Sequence, residues 1–423
     1  MIDHQIFAKI AKRIEDYRQE MVRLQIQLTA IPAMAPESGG DGEYEKARFL
    51  RGILENLGFE NIKDINAPDE RTSSGIRPNL AVRLAGKEKD RTVWIMSHMD
   101  IVPPGERSLW VKDPYTGYVK DGKVYGRGVE DNQQDLVASI FAAKACMDEG
   151  LLTTSGIGLL FVSDEETASR YGISYILDHK DNPFVKSDII VVPDSGNPEG
   201  TLIEIAEKSI LWLRFRILGK QCHGSKPNLG RNAFVAGSNL VVRLFEDLHE
   251  RFNAQDVLYD PPESTFQPTR KDANVPNVNT IPGEDIFFMD CRVLPDYPLE
   301  DVHHVIREIA DEIERRFEVA IEISEVQKVQ APAPTSPDAA VVKALQEAIL
   351  DVYHVSGEPR GIGAGTVAAY LRYRGYPVAV WCKTENAAHQ PNEYCIIDNM
   401  IGNAKVFAHL FLQEPKIAAD LKD

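Results

Sequence analysis

The stretch TVWIMSHMD, residues 92–100, decides how this chain is read. Its first six residues (92–97) form a short, mostly apolar run that reads as a strand buried on both faces. The run then releases His98 and Asp100, which stand two apart and so face the same way along an extended chain. Such an end is either ordinary polar chemistry or part of a metal site, and the other strands decide between the two. The run GIGLLFVS, residues 156–163, ends at Asp164, Glu165 and Glu166. DIIVVP, residues 188–193, is followed by Asp194, and VAVWC, residues 378–382, leads into a loop with Glu385 and His389. Helical patterns at 43–57, 132–149 and 338–353 lie between these runs. Strands alternating with helices predict an α/β fold with a mostly parallel sheet. In open α/β sheets, ligands bind beyond the carboxyl ends of the strands.

Residues 208–326 have a different rhythm. KSILWLRFRILG, EDIFFMDCRVLP and VAIEISEVQ read as strands, and NAFVAGSNLVVRLFEDLHERF and LEDVHHVIREIADEIERRF as amphipathic helices between them. That order predicts an α+β unit inserted into the larger domain. The expected division is a discontinuous domain of residues 1–207 and 327–423 and an inserted domain of residues 208–326. APAPTSP, residues 331–337, is the nearest thing to a linker.

Bulk properties narrow the function. At 423 residues the chain is long enough for two domains. A net charge of −17 argues against nucleic acid or an anionic membrane as a partner. The five cysteines, 146, 222, 291, 382 and 395, are odd in number and widely spaced. They read as reduced thiols and predict a cytoplasmic location. The first 28 residues read as an amphipathic, charged helix and not as a signal peptide, and no apolar run has the length of a membrane span.

Each polar strand end has an ordinary reading when taken alone. His98 could cap a strand, Asp131 in GRGVEDNQQ could cap a helix, and Glu165 and Glu166 could lie in a solvated loop. Together they are harder to dismiss, because carboxylates at the ends of buried strands are costly unless a cation neutralises them. Two imidazoles, several carboxylates and no thiolate pair suit zinc or a neighbouring divalent metal. The candidates are too many for one tetrahedral ion and fit two ions about 3.5–4 Å apart that share a bridging carboxylate. Asp100 could stand behind His98 and accept its free ring N–H.

The segments SHMDIVP, GRGVEDN, DEE, PDSG, CHGSKPNLGRNA, NTIPG and AAHQPNE occur in an order that resembles one family over nearly the whole chain. It is the co-catalytic di-zinc family of acetylornithine deacetylase, succinyl-diaminopimelate desuccinylase, aminoacylase, glutamate carboxypeptidase and several dipeptidases. The resemblance implies that His98 and Asp194 hold one metal, that Glu166 and His389 hold the other, and that Asp131 bridges them. It implies Glu165 as general base, Asp100 as the residue that orients His98, and a cis peptide between Asp131 and Asn132. It further implies two divalent ions, Zn2+ with Co2+ or Mn2+ as alternatives. In the inserted lid and dimerisation domain, His223 matches a histidine that stabilises the oxyanion and reaches across a homodimer. Asn279, Arg292, Gly365 and Thr366 match residues near the substrate carboxylate. For Arg292 a structural ion pair is the competing reading.

The sequence departs from the family at Gln133 and Gln134, where Lys-Gly is usual, at Ala364 in place of a Gly, and at Val367 and Ala368, where desuccinylases carry Ser-Asp. The expected activity is hydrolysis of a small anionic N-acyl amino acid in the manner of the deacetylase and desuccinylase. A metallo-dipeptidase or carboxypeptidase is the alternative. A non-catalytic metal- or ligand-binding relative is the reading from another class, and Glu165 argues against it, because such a protein has no need of a base.

Overall fold

A computed structural model of the chain describes residues 2–414. The chain divides into two compact units. One comprises Met1–Ile205, Thr335–Pro359 and Tyr370–Asp423, and the other Ala206–Pro334 and Arg360–Ala369.

The larger unit is built on an eight-stranded sheet. Its centre runs in the order Leu80–Leu84, Gly156–Val162, Thr92–His98, Ile189–Asn197, Val378–Lys383. The inner pairs are parallel, whereas Leu80–Leu84 runs antiparallel to Gly156–Val162. Every residue of Thr92–His98 and of Gly156–Val162 is buried, as their mostly apolar, non-alternating pattern predicts. At Gly158 a Cβ would lie 2.3 Å from the Trp94 ring, so only glycine lets the two strands pair there. The indole N–H of Trp94 donates to Asp188 at 3.0 Å, which satisfies the one polar atom of that buried side chain. Helices His4–Asp16, Arg18–Thr29, Gln134–Asp148 and Ile397–Leu412 pack together in this unit, and the last two are buried along most of their length.

The smaller unit has a four-stranded antiparallel sheet in the order Thr265–Lys271, Glu284–Val293, Ser209–Leu218, Ala320–Val329. Along Ser209–Leu218 the side chains of Leu211, Leu213, Phe215 and Ile217 are buried while those between them are half-buried, the period of two read from the sequence. Phe215 pairs in register with Phe287, and their rings stack at 4.6 Å. Helices Ala233–Arg251 and Leu299–Phe317 close this core with Leu240, Leu244, Ile306 and Ile309. The second carries Glu300 and Asp301 in its first turn and Arg315 and Arg316 in its last, the charge order that a helix dipole favours.

The smaller unit reaches beyond the expected residues 208–326 to Pro334 and also takes in Arg360–Ala369. Backbone pairing explains the added loop: Lys208 N–H donates to Ile362 C=O at 3.0 Å and Gly361 N–H to Leu258 C=O at 2.7 Å. All five cysteines are free. Among the described residues, no helix is long and apolar enough to cross a membrane.

Candidate metal centre

The strand ends of the larger unit converge. His98 closes Thr92–His98 and is 2% exposed. Its Nε2 lies 2.9 Å from Asp131 Oδ1 and 3.2 Å from Asp194 Oδ1. Asp194 lies within Ile189–Asn197. His389, in the loop after Val378–Lys383, places Nε2 3.1 Å from Asp131 Oδ2 and 3.2 Å from Glu166 Oε2. Asp131 thus offers one carboxylate oxygen to each imidazole. Two triads result, His98–Asp131–Asp194 and Asp131–Glu166–His389, and within each the potential ligand atoms lie within 4.8 Å of one another.

The backbone that presents Asp131 is tightly set. Gly128 has φ +82°, and a Cβ there would come within 2.5 Å of Ile101 and 2.9 Å of the Gln133 side chain. The Asp131–Asn132 peptide is cis, the form the resemblance implies. Asp131 is not a helix cap; the following helix begins at Gln134 with no side-chain cap. The Glu393 carboxylate accepts the N–H groups of Gly128, Glu130 and Asp131 at 3.0, 2.9 and 3.2 Å and the Arg127 guanidinium at 2.6 Å. The Glu130 carboxylate accepts the N–H groups of Glu385 and Ala387 in the loop before His389. Asn132 accepts the His98 N–H at 3.2 Å and donates at 3.0 Å both to Pro193 C=O and to Asp194.

Asp100 differs in detail from the sequence reading. The atom closest to His98 Nδ1 is the Asp100 carbonyl oxygen at 3.0 Å, with the carboxylate at 3.6 Å. The carboxylate also accepts the N–H groups of Glu165 at 3.1 Å and Glu166 at 3.0 Å. It follows the strand end directly and turns back onto the neighbouring strand's exit loop.

The electrostatics are those of an acidic pocket that calls for cations. Burial would depress His98, but Asp194, Asp100 and Asp131 hold its pKa well above the ordinary value. His389 is raised to about 10 by its hydrogen bonds with Asp131 and Glu166. Burial pushes Asp131 up, yet His389 and His98 outweigh it and hold the carboxyl below its usual range. Burial and the Asp131 charge raise Glu166 to about 7, and burial and Asp194 hold Glu165 well above the carboxylate range. The donor set fits divalent ions: it is oxygen and imidazole nitrogen only, and the buried Oε1 of Glu166 has no hydrogen-bond partner among the described residues.

The remaining candidates belong to the smaller unit. His223 pairs across a two-stranded ladder with Thr280, its Nδ1 meets the Ser225 hydroxyl at 2.8 Å and N–H at 3.1 Å, and Gly224 N–H donates to Asn279 C=O at 2.7 Å. His223 and Asn279 therefore lie side by side. Arg292 forks onto Asp290 at 2.7 and 3.0 Å and donates to Gly363 C=O at 2.9 Å. Thr366 donates to Glu207 at 2.6 Å, so the loop of residues 363–366, with Gly365, is tied at both ends. The Arg292 ion pair is the structural alternative weighed from the sequence; the guanidinium keeps two outer N–H groups beyond these bonds.

Sequence reasoning missed Glu130, Asn132 and Glu393 as the residues that hold the centre's loops. Each sits inside a quoted segment, GRGVEDN or AAHQPNE, so position within those segments was the available signal.

A two-triad arrangement of this kind at the carboxyl edge of an α/β sheet is a candidate centre for divalent ions. Residues 94–413 match peptidase family M20/M25/M40, and the chain belongs to that family of metallohydrolases. It is 40% identical over 408 residues to an uncharacterised metallohydrolase of Methanocaldococcus jannaschii, covering 93% of this chain and 98% of that one. It is 26% identical over 378 residues to succinyl-diaminopimelate desuccinylase of Cereibacter sphaeroides, covering 88% and 93%. The fold is similar to that of human carnosine dipeptidase 1, with a TM-score of 0.73, 19% identity and coverage of 96% and 98%.

Proposed function

We propose that this chain is an amide hydrolase that removes the acyl group from a small N-acyl amino acid, in the manner of acetylornithine deacetylase and succinyl-diaminopimelate desuccinylase. The observation that carries the reading is Asp131, whose two carboxylate oxygens face His98 and His389 separately. One ion would be held by His98, Asp131 and Asp194 and a second by Asp131, Glu166 and His389, with Zn2+ the first choice for an oxygen and imidazole set. Bound there, divalent ions supply a polarised amide carbonyl and an acidified water. Glu165 takes a proton from the attacking water and returns it to the leaving amine as the C–N bond breaks. A carboxyl held above its usual range suits that exchange. Asp100 positions Glu165 and Glu166 through their backbone N–H groups.

His223 stabilises the oxyanion through its Nε2, which has no hydrogen bond among the described residues. Asn279, Arg292, Gly365 and Thr366 engage the substrate carboxylate. The protein acts as a cytoplasmic homodimer in which His223 serves the partner's centre. Support for the dimer comes from the helix Ala233–Arg251, which leaves Phe234, Val235, Val242 and Phe245 exposed.

A dipeptide offers the same amide and carboxylate, so a dipeptidase or carboxypeptidase is the second reading. The test is a hydrolysis screen of N-acetyl, N-succinyl and N-formyl amino acids against dipeptides, on zinc- and manganese-loaded protein. Turnover of dipeptides alone would replace the deacylase reading. Tight binding of these compounds without turnover would make the chain a binding protein.

A further inference from the structure

Lys46 is the third residue of the helix Tyr44–Asn56 and sits on its buried face with Ala47, Leu50 and Leu54. It is 1% exposed, and its Nζ has no hydrogen-bond partner among the described residues. A buried ammonium without a hydrogen bond is costly, and a methionine of similar length would fill the same space without that cost. The charge itself is therefore what the position holds. Burial depresses the ammonium to about 8, and the opposing charges that act on it are Asp100, Glu43 and Glu393.

Those three carboxylates share one task. Asp100 accepts the N–H groups of Glu165 and Glu166. Glu43 accepts the Asp164 N–H at 3.3 Å and pairs with the wholly buried Arg77. Glu393 accepts the N–H groups of Gly128, Glu130 and Asp131. They come from three distant parts of the chain, and each ties down backbone next to or within the metal centre. Asp100 and Glu43 accept consecutive N–H groups, those of residues 164 to 166, and the Asp100 charge helps to raise Glu43, so these two buried carboxylates repel one another. Arg77 answers Glu43 and Arg127 answers Glu393, while among the described residues Asp100 has only the His98 ring in ion-pair range.

We propose that Lys46 is a positioning residue: a buried positive charge that offsets the repulsion between Asp100 and Glu43, acts on Glu393 as well, and through these carboxylates fixes the loops carrying Asp131, Glu165 and Glu166. An apolar-packing role for the lysine stem is the competing account. It predicts that a neutral side chain of the same length serves equally well.

The test compares wild type with Lys46→Met, Lys46→Gln and Lys46→Arg. Backbone amide exchange is followed by mass spectrometry in metal-free protein, beside the melting temperature and the zinc affinity. The expected result is faster exchange at residues 128–131 and 164–166 in both neutral variants, little change elsewhere, and recovery in Lys46→Arg. Zinc affinity separates the accounts by sign. Removing a nearby positive charge would by Coulomb's law alone tighten metal binding, whereas loss of positioned loops weakens it, by about 10–100-fold for residues that orient ligands. Unchanged exchange in those segments, or tighter zinc binding, would overturn the proposal. So would exchange raised uniformly with a collapsed melting temperature in all three variants, which marks a packing defect. The zinc arm rests on the proposed function, but the exchange arm does not: if wild type binds no zinc, the metal reading fails while the loop protection still decides the role of Lys46.

Discussion

Asp100 Oδ2 accepts the backbone N–H of Glu166 at 3.0 Å, and its other oxygen takes that of Glu165 at 3.1 Å. One carboxylate thus grips two consecutive peptide groups and sets the direction in which both glutamate side chains leave the backbone. Replacing it by asparagine leaves one acceptor and turns an NH2 toward a backbone donor. Asp100→Asn is expected to weaken zinc binding by about 10–100-fold, although the carbonyl oxygen still meets His98 Nδ1. Calorimetric titration checks this, and wild-type affinity would show that the grip does not matter.

Glu165 and Glu166 are neighbours with different expected jobs. Glu166 Oε2 lies 3.2 Å from His389, whereas the Glu165 carboxyl has no hydrogen bond among the described residues and is free to exchange a proton. Glu165→Ala is expected to lower kcat by about 10²–10⁴-fold while two equivalents of metal remain bound. Metal content that falls together with turnover would mean that the two roles are exchanged.

Metal loading is expected to release protons at neutral pH. In the metal-free protein His98 is raised well above its ordinary value of 6.5 and His389 to about 10, so both rings are expected to carry a proton at pH 7, and a ligand nitrogen must be deprotonated. Affinity should therefore rise with pH from neutral toward the His389 value. The fold of the metal-free protein follows the opposite sign. A raised imidazole pKa contributes fully below 6.5, and the contribution is lost as pH rises through about 10. Calorimetry of zinc binding in buffers of different ionisation enthalpy measures the released protons; a value of zero would show that the rings are neutral before metal arrives.

The exchange of His223 between subunits can be tested by complementation. Glu165→Ala and His223→Ala are each expected to be inactive alone, and mixing them under conditions of subunit exchange should restore partial activity through one intact centre. Demonstrated exchange without recovery would place His223 in its own subunit's chemistry or outside it.

In the smaller unit, the Phe215–Phe287 stack belongs to a cluster of buried apolar side chains. Phe287→Ala should cost about 3–5 kcal/mol of stability, read from denaturant unfolding. A loss below about 1 kcal/mol would mean that the cluster collapses around the vacancy.

What the chain's own order of residues determined is local. Runs such as residues 92–97 and 156–163 are mostly apolar without alternation, and that places them as strands buried on both faces. The period of two in Ser209–Leu218 likewise assigns its inner and outer faces, because side-chain direction along a strand depends only on neighbours in sequence. The acids and imidazoles at the strand ends were visible for the same reason. Which oxygen faces which ring was not, since Asp131 meets His98 and His389 only after segments far apart in the chain have packed. The same holds for the Asp100 carboxylate, which grips the next strand's exit loop as well as standing near the ring two residues before it, and for the burial of Lys46, which depends on what packs against its helix. Attachment of Arg360–Ala369 to the smaller unit also depended on backbone pairing with Lys208 and Leu258. Periodicity reports the face a residue occupies; only close packing at hydrogen-bond distance decides which distant group it meets there.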